Sequence, residues 1–179
     1  MGEIRPPSNA ILLIAASSRY DEALTWGLRQ SEANFGPAAA VSEAFAFNET
    51  DYYAAEMGAD LKKQFWAFAE QIDPGRLADI KRQTNDWESE YAGLSLHPQP
   101  RPLNLDPGYL TLAKLVLAST KDHAHRIYLG EGIYAEVTLA FRGGAWRSFE
   151  WTYPDYRRED YHEFFTRCRE LSRRAESQN

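Results

Sequence analysis

Residues 10–16 form a continuous apolar run, Ala-Ile-Leu-Leu-Ile-Ala-Ala, near the start of the 179-residue chain. A short run without a polar side chain is typical of a fully buried strand. Seven residues are also too few to cross a bilayer as a helix. The run therefore predicts a buried central strand of a sheet.

Two helices are predicted in the first hundred residues. One covers residues 19–34, and Ser18 with Asp21 fits a capping box at its start. The other begins at Asp73-Pro74, where the aspartate can cap the helix and proline suits the first helical position. The residues at helical spacing that form its inner stripe are Leu77, Ile80, Thr84, Trp87 and Tyr91.

Further strands are predicted around these helices. Residues 41–47 alternate in polarity, residues 61–68 favour a strand over a short helix, and Leu103–Leu105 can close the series. The resulting order, β-α-β-β-α-β, is ferredoxin-like. The predicted fold class is therefore α+β with a largely antiparallel sheet, extended by a C-terminal β-hairpin and a terminal helix.

Residues 133–153 predict that hairpin, around Arg142-Gly143-Gly144. A two-residue turn would pair Phe141 with Trp146 and give both faces mixed polarity. A three-residue loop pairs Phe141 with Ala145 and separates apolar from polar residues, so it is favoured. It also makes Glu136 and Glu150 cross-strand neighbours, and two like charges there require a basic side chain, a cation or a shared proton.

The remaining elements have weaker or shorter patterns. Asp106-Pro107-Gly108-Tyr109 has the composition of a turn, and residues 110–119 fit a short helix or a strand. The last helix has an inner stripe at positions 161, 164, 165, 168 and 171, which places Cys168 inside. We expect one domain over residues 1–179, with frayed ends at 1–9 and 173–179.

The charge and cysteine content argue against several classes of function, although a local basic patch stays possible. The formal net charge is −6, which disfavours DNA, RNA and anionic membrane surfaces as partners. A single cysteine allows no intramolecular disulfide, and the N-terminus lacks a signal-peptide pattern, so a cytoplasmic location is expected. The sequence has no Gly-rich phosphate loop, dinucleotide fingerprint or nucleophile elbow.

The densest polar segment is residues 119–126, directly before the predicted hairpin. Lys121, His125 and Arg126 would hold an anionic group such as a phosphate. Glu136, with Glu150 or Asp155, would act as a base or cation ligand. The candidate catalytic residues are Glu136, His125 and Asp155, and the candidate ligand-binding residues are Lys121, His125, Arg126, Tyr134, Glu136 and Glu150.

Two alternatives stay open beside this hypothesis of a small anionic ligand. His123 and His125 would share a face of an extended segment, but a metal site needs at least a third ligand, so no metal is predicted. The many aromatic residues could instead anchor a protein partner without catalysis. The cofactor, the oligomeric state and the reaction, if there is one, are left undetermined.

Three segments resemble a known family. These are Leu105–Leu139, LDPGYLTLAKLVLASTKDHAHRIYLGEGIYAEVTL, the motif WTYPDY at Trp151–Tyr156, and TDYYAAEMG at Thr50–Gly58. They are similar to DUF4416, an uncharacterised prokaryotic family of short proteins. The resemblance covers nearly the whole chain. Because that family has no established activity, it implies neither a reaction nor catalytic residues.

Overall fold

The computed structural model describes residues 2–48 and 54–176, and these form an α+β fold with a large antiparallel sheet. The strands are β1 (Ala10–Ser18), β2 (Ala38–Val41), β3 (Phe45–Ala46), β4 (Lys62–Ile72), β5 (Asn104–Leu110), β6 (Lys114–Ser119), β7 (Ile127–Gly130), β8 (Ile133–Arg142) and β9 (Ala145–Ser148). The helices are α1 (Asp21–Phe35), α2 (Ala54–Met57), α3 (Leu77–Gly93) and α4 (Glu159–Glu176), with 3₁₀ turns at Pro74–Arg76 and Pro154–Arg157.

The ferredoxin-like start is confirmed by the strand order. The sheet runs β2-β4-β1-β5-β6-β8-β7, and β3 and β9 pair with β4 and β8. Its first four strands have the ferredoxin-like order, with every neighbouring pair antiparallel. All nine residues of β1 are buried, as expected for the central strand.

The two faces of β1 belong to different hydrophobic clusters. Leu12 and Ile14 pack with residues of α1 and α3. Leu13 and Ala15 pack with the inner stripe of α4. The sheet is therefore covered on both sides, which explains why the β1 sequence contains no polar position before Ser17.

The predicted helix starts are correct in one case and wrong in the other. Asp73 Oδ1 accepts a hydrogen bond from the Gly75 amide at 2.8 Å, and the 3₁₀ turn after it leads into α3. Ser18 does not form a capping box. Its hydroxyl accepts from the Tyr20 amide at 2.9 Å and donates to the Pro102 carbonyl at 2.6 Å, which fastens the end of β1 to a distant loop.

The strand predicted over residues 41–47 is broken into two short pieces, β2 and β3. Both pair with the same edge of β4. Between them, the Ser42 hydroxyl accepts a hydrogen bond from the Phe65 backbone amide at 2.9 Å. A side-chain oxygen therefore replaces a backbone acceptor for β4 where the ladder is interrupted.

The turn predicted at residues 106–109 is wrong, because these residues lie inside β5. Pairing with β1 holds them extended from Asn104 to Leu110. Pro107, which has no amide hydrogen, lies just before the β5–β6 ladder begins at Gly108, so no ladder donor is lost there. Residues 114–119, for which the sequence allowed a helix or a strand, form β6.

The C-terminal hairpin is present, but its predicted register is wrong. Phe141 pairs with Trp146, and Gly143 and Gly144 have φ of 59° and 77°, as a two-residue type I′ turn requires. Strand β9 ends at Ser148. Because the strand is this short, the hairpin does not have the two long faces of mixed polarity that made the two-residue turn look unfavourable. Glu150 lies in the following turn, exposed, and is not a cross-strand neighbour of Glu136.

Helix α4 buries the predicted stripe from Tyr161 to Cys168, which is fully enclosed, whereas Leu171 is half-buried. Burial raises the pKa of the Cys168 thiol to about 12, so the thiolate is absent at neutral pH. The helix continues to Glu176, beyond the predicted start of the tail. Across residues 2–48 and 54–176, no helix has the length and apolar character that a membrane span requires.

Candidate functional site

Strands β5 and β6 separate at one end of the sheet. They pair only over Gly108–Leu110 and Leu115–Leu117. Before Gly108, β5 pairs with β1 alone, whereas Ala118 and Ser119 of β6 pair with β8. The sheet is therefore split at this end, and side chains from both of its faces can reach the same opening.

A cleft of about 640 Å³ lies at this split. This volume is within the usual range for small-molecule sites. Its charged lining residues are Lys63, Lys81, Glu88, Arg101, Asp106, Lys121, Arg126, Glu136 and Asp155. Its aromatic lining residues are Phe47, His123, Tyr153 and Tyr156. Five Lys or Arg side chains thus face four Asp or Glu side chains, in a chain whose net charge is −6.

Helix α3 supplies the side chains that complete β5 where β6 has moved away. The Leu105 amide donates to Glu88 Oε1 at 2.7 Å, and Lys81 Nζ donates to the Leu105 carbonyl at 2.8 Å. Both side chains are buried. Burial raises the pKa of Glu88 above its ordinary value, although Lys81 and Arg101 act in the opposite direction. Two charged side chains of α3 therefore take the place of β6 as hydrogen-bond partners of the β5 backbone.

Asp106 lies beside this pair and is reached from two sides. Lys81 Nζ donates to its Oδ1 at 3.0 Å, and the Asn104 amide donates to its Oδ2 at 2.7 Å. Burial alone would raise the pKa of Asp106, but Lys81 and the hydrogen bond from Asn104 hold it below its ordinary value. Arg101 in turn contacts Asn104 Oδ1 and donates to Glu88 Oε2 at 2.9 Å.

A second buried ion pair lies on the α4 side of the cleft. Lys63 Nζ donates to Asp155 Oδ2 at 2.5 Å, and both side chains are almost fully enclosed. The ammonium group also lies 3.8 Å from the centre of the Phe47 ring and 5.2 Å from that of Tyr156. Lys63 acts electrostatically on Asp106 as well, so the two buried lysines influence the same carboxylate.

Arg126 connects the polar segment, residues 119–126, to β8 through hydrogen bonds. Its Nε donates to Glu136 Oε2 at 2.8 Å, and its Nη1 donates to the Ser119 hydroxyl at 2.7 Å and the Lys121 carbonyl at 3.0 Å. Burial alone would lower the pKa of Arg126, but its hydrogen bonds to Glu136 and Tyr153 raise it above the ordinary value. The guanidinium is therefore a permanent charge that positions the loop at the cleft.

His125 is oriented by the same carboxylate. Its Nε2 lies 3.0 Å from Glu136 Oε2, and its ring stacks on Trp151 with the planes 11° apart. Glu136 Oε1 accepts from Thr138 at 3.2 Å. The buried carboxylate and the Trp151 ring therefore fix the orientation of the His125 imidazole.

The sequence candidates are distributed unevenly around the cleft. Lys121, Arg126, Glu136 and Asp155 line it. His125 is not a lining residue, but it contacts Glu136, which is. Tyr134 and Glu150 are not among its lining residues. His123 and His125 stack at 5.8 Å. In the described part of the chain, no group of three or more His, Cys, Asp or Glu side chains is arranged to hold a metal ion.

The α3 side of the cleft was missed by sequence reasoning, as was Lys63. A signal existed at three positions. Lys81 and Glu88 are spaced four residues after Leu77 and Thr84, so they extend the buried stripe of α3. Lys63 alternates with Phe65 on the inner face of β4. Charges at inward positions indicate partnered groups, because an unpaired buried charge is too costly.

The two α3-side carboxylates predict opposite responses to pH. The pKa of Asp106 is below its ordinary 3.8, so its stabilising contribution is complete above that pH and disappears as the pH falls through the folded-state value. We expect Asp106→Asn to cost about 1–3 kcal/mol at pH 7 and progressively less below pH 3.8. Denaturant unfolding of wild type and variant from pH 7 to pH 3 measures this.

Glu88→Gln is the matched comparison. The raised pKa means that the folded protein binds this proton more tightly, so the ionised form costs stability at neutral pH and that cost declines as the pH falls. Glutamine keeps an acceptor for the Leu105 amide. We therefore expect Glu88→Gln to lower the free energy of unfolding at pH 7 by less than Asp106→Asn does. An equal or larger loss would contradict the opposite pKa shifts assigned to the two carboxylates.

The comparisons with known proteins agree with the sequence resemblance. A family model described as "Domain of unknown function (DUF4416)" matches residues 7–171. No curated protein and no solved structure matches the chain significantly.

Proposed function

Since the chain belongs to the DUF4416 family, whose description assigns no activity, we propose from the cleft itself that the protein binds a small anionic, phosphate-bearing ligand. The observation that carries the proposal is the concentration of buried charge at the split between β5 and β6. Lys63, Lys81, Glu88, Glu136 and Asp155 are all buried there.

Buried ion pairs are a poor way to stabilise a fold. Removing charges from water costs several kcal/mol per ion, and apolar residues of similar volume often serve as well or better. Two such pairs, Lys63–Asp155 and Arg126–Glu136, lie around one opening. Two further pairs with one buried and one partly exposed partner, Lys81–Asp106 and Arg101–Glu88, lie beside them. Clustering of this kind is characteristic of functional sites.

The anionic end of the ligand is assigned to the end of β6 and the loop that follows it. Ser119, Thr120 and Lys121 line the cleft there, and Lys121 is exposed. Arg126 holds this loop in place through the Ser119 hydroxyl and the Lys121 carbonyl. The role of Arg126 in this proposal is therefore to position the loop and add positive potential, while Lys121 contacts the phosphate.

Calorimetry and thermal-shift measurements test the proposal. We expect inorganic phosphate and ribose 5-phosphate to raise the melting temperature, because a ligand that binds only the native state stabilises it, and ribose to have no effect. Lys121→Ala should weaken phosphate binding about tenfold, the loss of one charge-assisted contact. Lys114→Ala, at the opposite end of β6, is the control. Absence of binding by both phosphate compounds would refute the proposal.

A second candidate function, binding of a protein partner, has one observation in its favour. Ile127, Tyr128 and Leu129 are consecutive and exposed on β7, which is the last strand in the sheet order. Exposed apolar edge strands favour pairing with another chain. Ile127→Lys combined with Leu129→Lys would abolish such an interaction and leave phosphate binding unchanged, as measured by sedimentation and calorimetry.

A further inference from the structure

Asp106 differs from the other carboxylates of the cleft in its exposure. Its side chain is 32% exposed, against 10% for Glu88, 5% for Asp155 and 2% for Glu136. The other three are enclosed by their partners. Asp106 is therefore the acidic group that a ligand in the cleft can touch.

This carboxylate is fixed in place and retains hydrogen-bonding capacity. Lys81 occupies a position on Oδ1 and Asn104 a position on Oδ2. An ionised carboxylate offers about four acceptor positions, so two remain. Because the Lys81 and Asn104 contacts favour the ionised form, these positions accept a hydrogen bond and do not donate one.

The surroundings of Asp106 match a hydroxylated group. Arg101, whose side chain is 33% exposed, is joined to Asp106 through Asn104, and Asn85 of α3 lines the same wall. An acceptor flanked by amide and guanidinium donors can bind neighbouring hydroxyl groups, which both donate and accept. A second anionic group at this position would instead face an ionised carboxylate and be disfavoured.

Resting on the proposed phosphate site, we infer that the ligand is a phosphate ester of a polyol or sugar, with a hydroxyl group that donates to Asp106. The phosphate lies at the Ser119–Lys121 end of the cleft and the hydroxyl groups at the α3 end. A site built around such a hydrogen bond discriminates strongly against analogues that lack the donor.

Glycerol 3-phosphate and 3-phosphoglycerate provide the sharpest test, because they have the same carbon chain and differ in a terminal hydroxymethyl or carboxylate group. We expect wild-type protein to bind glycerol 3-phosphate at least about tenfold more tightly in calorimetry. Asp106→Asn should remove most of this preference while retaining binding of inorganic phosphate. Asp160→Asn is the control, since Asp160 also has a lowered pKa but pairs with Arg158 outside the cleft.

Each outcome separates this inference from the proposed function. If inorganic phosphate and both esters fail to bind, the phosphate site itself is refuted. If they bind but wild type shows no preference, or if Asp106→Asn keeps the preference, the hydroxyl assignment is overturned and the phosphate site stands. If Asp106→Asn does not fold, the comparison of the two esters on wild type decides alone.

Discussion

We expect Asp155→Ala to lower the free energy of unfolding by about 3–5 kcal/mol, because it leaves Lys63 buried without its carboxylate. Lys63 Nζ lies 2.5 Å from Asp155 Oδ2, and the two side chains are 6% and 5% exposed. The neighbouring Phe47 ring cannot replace a full negative charge. For a chain of this length the loss corresponds to roughly 6–20 °C in melting temperature.

The adjacent lysine provides the control for this substitution. Lys62 pairs with Asp21 at 2.6 Å, but its side chain is 39% exposed and that of Asp21 is 73% exposed. Exposed pairs contribute little, so Lys62→Ala should cost less than about 1 kcal/mol. Comparable costs for Asp155→Ala and Lys62→Ala in denaturant unfolding would contradict the assignment of a buried, interdependent pair.

The combination of Lys63→Met with Asp155→Leu separates stability from function. Replacing both charges with apolar groups of similar volume is often neutral or stabilising, so most of the lost stability should return. Lys63 and Asp155 line the cleft, however, and the variant should bind phosphate more weakly than wild type. Recovery of full stability together with wild-type phosphate binding would show that the pair has no part in the ligand site.

Local sequence patterns predicted the elements whose burial follows a regular spacing. The apolar run of β1 arises because both of its faces pack against a core. The stripes of α3 and α4 arise because one face of each helix does so. Their order is enough to predict the ferredoxin-like start, because short connections restrict how successive elements can pair. These features depend on near neighbours in sequence.

Features that depend on distant neighbours were not predictable in the same way. Asp106-Pro107-Gly108 has turn composition, but pairing with Ala15, Ile14 and Leu13 of β1 holds it extended. The predicted hairpin register is wrong because it requires a long second strand, whereas β9 has four residues.

The candidate site shows the same division between local and distant information. Lys121 and Arg126, which line the cleft, were predicted as candidates because polar residues are dense in that part of the sequence. Lys63, Lys81 and Asp106 come from three separate segments. The inward positions of Lys63 and Lys81 indicate that each has a partner, but the local sequence does not show which one. Only the split between β5 and β6 brings them together, and nothing in a local pattern predicts where a ladder ends.

Gly108→Ala tests that split directly, and we expect a loss of at least about 3 kcal/mol, at or beyond the upper end for overpacked sites. A Cβ on Gly108 would lie 2.2 Å from the Val116 carbonyl oxygen and 2.7 Å from Leu117 Cδ2. The clash is with backbone, so a side-chain rotation cannot relieve it. Since β5 and β6 share only three residue pairs, moving β6 away would open the whole ladder.

Gly93→Ala is the control, because a Cβ there meets nothing within 4 Å and helix α3 ends at that residue. It should be neutral or slightly stabilising. Hydrogen exchange at residues 115–117 should accelerate in Gly108→Ala alone, and phosphate binding should weaken because Ser119 and Lys121 follow β6. Unchanged stability and unchanged hydrogen exchange would mean that β6 can shift without cost. The hypothesis that the ligand site depends on a rigid split between β5 and β6 would then be wrong.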